Sequence, residues 1–222
     1  MLKHDDKTGL VYRDELKELF VIREQSQYKK LNFKNATFMD IGAHIGATTN
    51  LALESGAKKC ISYEPMPETF EILKDNVGRR SELNQKAVII DNRKEIDFYI
   101  HHKYHSCNSI LPIKNCPKIT VPAVNFLDEL HKHQPNIVKI DCEGGEFFLL
   151  EKNILPDFVE ELAVEIHINK KEKKQKAFDL MLNFKDWFVH KKFRFNWYIT
   201  TAIIKRHIPG ELGTVQQYME GL

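Results

Sequence analysis

The sequence predicts an α/β protein built on an open, mostly parallel sheet, and three stretches carry that prediction. Residues 38–41 form an apolar strand that breaks at Asp40, then runs through Gly42 and Gly46 into the helix-forming residues 50–54. Residues 60–63 are a second apolar run, ending in Glu64 and Pro65. Residues 137–140 are a third, ending in Asp141, Glu143 and Glu146 around Gly144 and Gly145. A strand that ends in a glycine-rich turn and opens a helix is how such a sheet makes a ligand crevice at its carboxyl edge.

The 222 residues, 42% of them apolar, suffice for one α/β domain with a sizeable core. There are no internal repeats and no low-complexity linker. The expected organisation is an N-terminal helical extension over 1–35 and a single domain over 36–222. A net charge of +2 names no partner. No secretory leader and no apolar run near ~18 residues is present, so no membrane span is expected. Cys60, Cys107, Cys116 and Cys142 have no C-x-x-C spacing and read as reduced residues of an intracellular, cytoplasmic protein. A single bridge between Cys107 and Cys116 is the lesser alternative. Nothing in the sequence sets the oligomeric state.

In chain order, residues 1–10 are polar and expected to be mobile. Residues 12–30 carry a helix-like stripe that includes Leu16, Leu19, Phe20 and Ile22. Pro65 and Pro67 set up a helix start with Glu68 in its first turn, and Phe70, Leu73 and Val77 share one face of that helix. Residues 78–81 break the pattern. Residues 87–90 read as a third buried strand of the sheet, 95–100 as a half-exposed one and 119–124 as another. Asn125 caps a short helix with Asp128 at its third position. Residues 162–168 make a fifth strand, 172–190 a long helix, and 193–199 with 200–205 a closing strand pair.

The turn chemistry narrows the ligand. Gly42 and Gly46 are spaced Gly-x-x-x-Gly, unlike the G-x-G-x-x-G of pyrophosphate binders. A carboxylate at Asp40 would repel a pyrophosphate and suits a ligand with a cationic end, such as the amino group and sulfonium of S-adenosyl-L-methionine. Glu64, about 18 residues past Gly46, is placed to accept both ribose hydroxyls. Residues 85–87 would flank the adenine. The bland reading of the turn alone is a strand-turn-helix with glycine merely for tightness.

The acids at 141, 143 and 146 repel one another, so stability alone does not account for them. They bind a cation, hold backbone N–H groups or handle protons. Glu146 reads as a cap of the following helix. Glu165 and His167 share one strand face, and a histidine two residues from an acid is a general-base candidate. His101, His102, His105, Cys107, Asn108 and Ser109 lie on an irregular loop whose spacing fits no closed metal site. It reads as substrate-facing or solvated. Residues 168–207 hold eleven Lys/Arg against three Asp/Glu, the only hint of a polyanionic partner. A solvated helix face is the blander account.

Together these stretches resemble the FkbM family of S-adenosylmethionine-dependent methyltransferases. The resemblance covers about 36–167 and more weakly the rest. It is carried by D-x-G-A-x-x-G at 40–46, Glu64 with Pro65, Leu-x-x-Asn at 73–76, the small polar step at 108–110, I-D-x-E-G-x-E at 140–146, and E-x-H at 165–167. His44 stands where asparagine is usual, and Gly145 where alanine is. The resemblance implies an open Rossmann-like class I methyltransferase sheet, mostly parallel with an antiparallel last strand.

The function expected is methyl transfer from S-adenosyl-L-methionine to a small hydroxyl acceptor such as a sugar. Asp40, Gly42, Ala43, His44, Gly46, Glu64, Pro65, Ala87 and Asp141 would bind the cofactor. Asp141, Glu143 and His167 would be catalytic, Asp141 or His167 as base and Glu143 orienting the acceptor. No metal centre is expected. An ion held by Asp141, Glu143 and His167 is the minor alternative, which chelator-insensitive turnover would remove. One rival is a nucleic-acid methyltransferase using the basic 168–207 region, although no Asn-Pro-Pro-aromatic or Pro-Cys motif of base methylation is present. The other rival is a non-catalytic cofactor-binding module.

Overall fold

The computed structural model describes residues 1–14, 16–151, 155–167, 171–195, 199–206 and 213–220; the side chains at 16, 17, 24, 171–174, 190–195, 199, 200 and 218–220 lie outside that description. In chain order the elements are β1 (Leu2–His4), β2 (Val11–Arg13), α1 (Leu16–Glu24), β3 (Thr37–Ile41), α2 (Ala47–Glu54), β4 (Lys59–Tyr63), α3 (Pro67–Val77), β5 (Glu82–Asn84), β6 (Ala87–Ile89), β7 (Glu95–Tyr99), β8 (Lys118–Asn125), α4 (Phe126–His133), β9 (Ile137–Ile140), α5 (Glu146–Leu149), β10 (Glu161–His167), α6 (Lys171–Leu182), β11 (Phe188–Phe195), β12 (Ile199–Lys205) and α7 (Val215–Glu220). A 3₁₀ segment, Gln25–Lys30, follows α1.

The main sheet has seven strands in the order β11-β12-β10-β9-β3-β4-β5. Strands β10, β9, β3, β4 and β5 pair in parallel, and β12 is antiparallel to both its neighbours. The expected mostly parallel sheet with an antiparallel last strand is therefore the one present.

Alternation along the strands sends side chains to two cores. Met39, Ile41, Val138, Ile140, Val164 and Ile166 pack with Phe126, Leu130, Leu149, Leu180 and Met181 on one face. Phe38, Cys60, Ile137, Ala163 and Ile203 pack with Ala52, Tyr28, Leu31 and Phe33 on the other. Asp40, two residues from Phe38, and Lys139, two from Ile137, consequently share the second face, beneath α2 and the 3₁₀ segment.

Local signals hold where their chemistry is local. Pro67 opens α3. Asn125 Oδ1 accepts from the N–H groups of Leu127 and Asp128 at 2.9 and 3.1 Å. Three expectations need correction. Residues 87–90 are not the third strand of the main sheet; that place belongs to the short edge strand β5. After Asn84 the chain leaves the sheet, and β6 pairs in parallel with β8, which is antiparallel to β7, in a separate three-stranded sheet with its own core. The long helix over 172–190 stops at Leu182. Its last carbonyls are taken in tight turns by the N–H groups of 183–185, Asn183 donates to the carbonyls of Leu150 and Glu151, and the β-forming residues from Phe188 start β11.

The first 35 residues are not solely helical. Leu2 pairs with Arg13 in a hairpin, the Val11 N–H donates to Asn76, and buried Leu10 joins Ile22, Ile45 and Ile72. The four cysteines are free thiols. Among the described residues no helix is long and apolar enough to cross a membrane.

Candidate active site

Four neighbouring parallel strands, β4, β3, β9 and β10, bring Glu64, the Gly42 turn, Asp141 and His167 to one edge of the sheet. Strand spacing puts the first and last roughly 14 Å apart. A cavity of about 330 Å³ runs along this edge, within the range of small-ligand sites.

The turn after β3 is held from within. The N–H groups of Gly42 and Ala43 both donate to the Tyr63 carbonyl, at 3.1 and 3.0 Å, and Gly46 donates to Ala43. Gly42 has φ 76°, and a Cβ there would sit 1.8 Å from the backbone oxygen of Asp141. Only glycine lets these two strand ends touch.

Glu64 is buried, and its two oxygens accept from the N–H groups of His44 and Met66 at 3.0 and 2.9 Å. Burial pushes its carboxyl up to about 7, against the lowering pull of those two amides. Burial holds the neighbouring His44 down at about 3, so its ring is neutral.

Asp40 is fully buried, accepting from Thr49 Oγ1 at 2.7 Å and paired with Lys139 Nζ at 3.2 Å. Lys139 also lies 3.4 Å from Asp141 Oδ2 and donates to the Gly42 carbonyl at 3.0 Å. Burial pulls the Lys139 ammonium down, but Asp40, Asp141 and Glu165 together outweigh it and raise its pKa.

The acids around His167 form the other end of the row. Glu146 Oε1 accepts from the His167 backbone N–H at 2.6 Å and ring Nδ1 at 3.0 Å, while Oε2 accepts from the Gly144 N–H at 2.7 Å. His167 Nε2 faces Glu143 at 3.4 Å and Asp141 and Glu165 at 3.9 Å each. Burial lowers the His167 pKa, but the Glu146 hydrogen bond and the charges of Glu143, Glu146 and Asp141 push it up to about 10. Burial, opposed by His167, pushes Glu143 up to about 8. The irregular loop closes over this end: Ser109 Oγ donates to the Glu143 carbonyl at 2.7 Å, and Asn108, buried on the cavity wall, keeps an amide nitrogen without a hydrogen bond.

Of the residues named from sequence, Gly42, Ala43, His44, Glu64, Pro65, Ala87, Asp141, Glu143 and His167 line the cavity. Asp40 and Gly46 do not. Asp40 points into the sheet toward Lys139, and Gly46, at φ 86°, packs against Leu73 and Val77. Sequence reading set Glu165 beside His167 without giving it a role, and missed Lys139 and Tyr28 as cavity residues and the grip of Glu146 on His167. A lysine inside the apolar run 137–140 was the one available signal.

A family model for the methyltransferase FkbM domain matches residues 40–195. The chain belongs to this family. It is an S-adenosyl-L-methionine-dependent methyltransferase, and the site fits that cofactor: a cavity along the sheet edge, a buried carboxylate at one end and a close-packed glycine turn beside it. No curated protein matches the chain by sequence. Among solved structures, the FkbM-family fold here resembles yhhF from Escherichia coli, assigned as a methyltransferase, at 14% identity and TM-score 0.51 over 93% of this chain and 99% of that one. Two further matches are Sp1610 from Streptococcus pneumoniae, assigned as a tRNA (m1A22) methyltransferase and crystallised with S-adenosyl-L-methionine (13% identity, TM-score 0.48, 86% and 72% covered), and ribosomal protein L11 methylase from Lactobacillus delbrueckii subsp. bulgaricus (12%, 0.46, 86% and 80%).

Proposed function

We propose that the chain methylates a hydroxyl oxygen of a small acceptor such as a sugar, in the cytoplasm. The observation that supports this most is the carboxylate pair Asp141 and Glu143, part-exposed on the cavity wall and converging on His167. The bound cofactor supplies an electrophilic methyl group on a sulfonium. The protein's task is then to place an acceptor oxygen in line and to take up its proton. Glu64 would hold the ribose hydroxyls, with Pro65, Ala87, Ala43, His44 and Asp141 as the other residues that would contact the cofactor. Asp141 and Glu143 accept the hydroxyl proton and orient the oxygen, and His167, locked by Glu146, keeps both carboxylates in place.

A polyanionic acceptor gains little from this wall, where Asp141, Glu143, Glu165 and Glu64 stand among Lys86, Lys139 and His167. The nucleic-acid reading rests on the basic 168–207 region, much of whose side-chain detail lies outside the described residues. A non-catalytic module has no need of the acids at 141 and 143.

The test is an extract incubated with methyl-labelled cofactor and the chain, then divided into RNA, protein and small molecules. Label in small molecules, as an alkali-stable ether and absent with Asp141→Asn, is the expected outcome. Label confined to RNA, with binding that weakens steeply with salt, overturns it.

A further inference from the structure

We propose that Asp141, Glu165 and His167 form a binding site for a divalent first-row metal ion such as manganese(II). One donor atom from each lies within 4.8 Å of the others, and all three residues line the cavity. This trio differs from the one the sequence suggests, because Glu165 takes the place of Glu143.

The groups behind the trio carry the argument. Each candidate ligand has its far atom held by a residue outside the trio. Asp141 Oδ2 pairs with Lys139 at 3.4 Å, leaving Oδ1 toward His167. Glu165 Oε2 accepts from Tyr28 and Gln27 at 3.2 and 3.3 Å, and its Oε1 turns toward His167. His167 Nδ1 is bound to Glu146, which aims Nε2 at the two carboxylates. A carboxylate on the far nitrogen of a ligating histidine, and hydrogen bonds on the far oxygens of ligating acids, are how proteins orient metal ligands.

A second observation is independent of that scaffold. His167 is 8% exposed, and its Nε2 lies 3.4 Å from Glu143 Oε2 and 3.9 Å from Asp141 Oδ1 and Glu165 Oε1. Carboxylate oxygens from three side chains thus converge on one ring nitrogen. An ion between the donors takes the place of the ring proton, and its positive charge balances those carboxylates. One imidazole with two carboxylates and no thiolate suits manganese(II) and its neighbours. The site's open side is the cavity, so an acceptor oxygen can complete the coordination. On the methyl-transfer reading above, the ion acidifies that hydroxyl and leaves Glu143 to take the proton.

The experiment titrates manganese(II) into the purified full chain without cofactor or acceptor. Loss of the free-ion paramagnetic resonance signal reports binding, and circular dichroism reports folding. One saturable site is expected, weakened at least about tenfold in Asp141→Asn, Glu165→Gln and Glu146→Gln and unchanged in the surface variant Glu71→Gln. No saturable site in the folded wild-type chain overturns the proposal. So does equal binding by Asp141→Asn and Glu165→Gln. Because neither cofactor nor acceptor is present, the outcome stands apart from the fate of the methyl-transfer reading.

Discussion

Glu146 Oε1 accepts two hydrogen bonds from one residue, the backbone N–H and the ring Nδ1 of His167. Glu146 is fully buried and sits on α5, whereas His167 ends β10. The pair therefore locks a ring orientation across two elements. Glu146→Gln replaces one acceptor oxygen with a donor and frees the ring. A fall of about 10–100-fold in kcat is expected, with the KM for S-adenosyl-L-methionine nearly unchanged. Steady-state kinetics on the folded variant checks this. A change in KM alone would mean that Glu146 serves the cofactor end.

Gly42 supports the touching strand ends. In Gly42→Ala the new methyl would lie 1.8 Å from the Asp141 carbonyl oxygen at a backbone φ of 76°. The backbone has to move, at a cost of at least about 3 kcal/mol. Urea unfolding should show that loss. An unaltered midpoint would mean that β3 and β9 are not this close.

Lys139 and Asp40 are both almost fully enclosed. Lys139→Met strands the Asp40 carboxylate in the core and should cost about 3–5 kcal/mol. Adding Asp40→Leu should restore most of it. A double-mutant cycle measures the coupling, and additive losses would contradict the pairing.

Much of this arrangement was legible because its signals are local. Apolar runs that stop at acids mark where β4 and β9 end and, to within one residue, where β3 does, and the Asn125 cap is written within residues 125–128. What stayed hidden depends on neighbours far along the chain. Asp40 reads as a cofactor ligand until β9 sets Lys139 beside it. Glu146 reads as a helix cap until β10 delivers His167. Strand β5, only Glu82, Leu83 and Asn84, has no apolar pattern, because a short edge strand needs none. The run at 87–89 has the pattern but not the partner, since burial does not say which sheet does the burying.

Glu64 gives the site a pH dependence of known sign. Its carboxyl titrates at about 7 when folded and near 4.5 when unfolded. Between those values the folded chain binds more protons than the unfolded one. Its contribution to stability is thus full below about pH 4.5 and is lost as pH rises through about 7. Cofactor affinity should move the other way, because the ionised carboxylate accepts ribose hydroxyls better. Urea unfolding of the ligand-free chain across that window, with Glu64→Gln as reference, should show the wild type losing stability more steeply than the variant as pH rises. Identical slopes would refute the assignment.

The central claim is that Glu64, and not Asp40, holds the cofactor at this sheet edge. Calorimetric titration with S-adenosyl-L-homocysteine tests it most directly, on folded wild type, Glu64→Gln and Asp40→Asn. The account predicts saturable heat for the wild type, affinity at least about tenfold weaker in Glu64→Gln, and affinity within about threefold of wild type in Asp40→Asn. No heat with the wild-type chain, or a loss confined to Asp40→Asn, would contradict it.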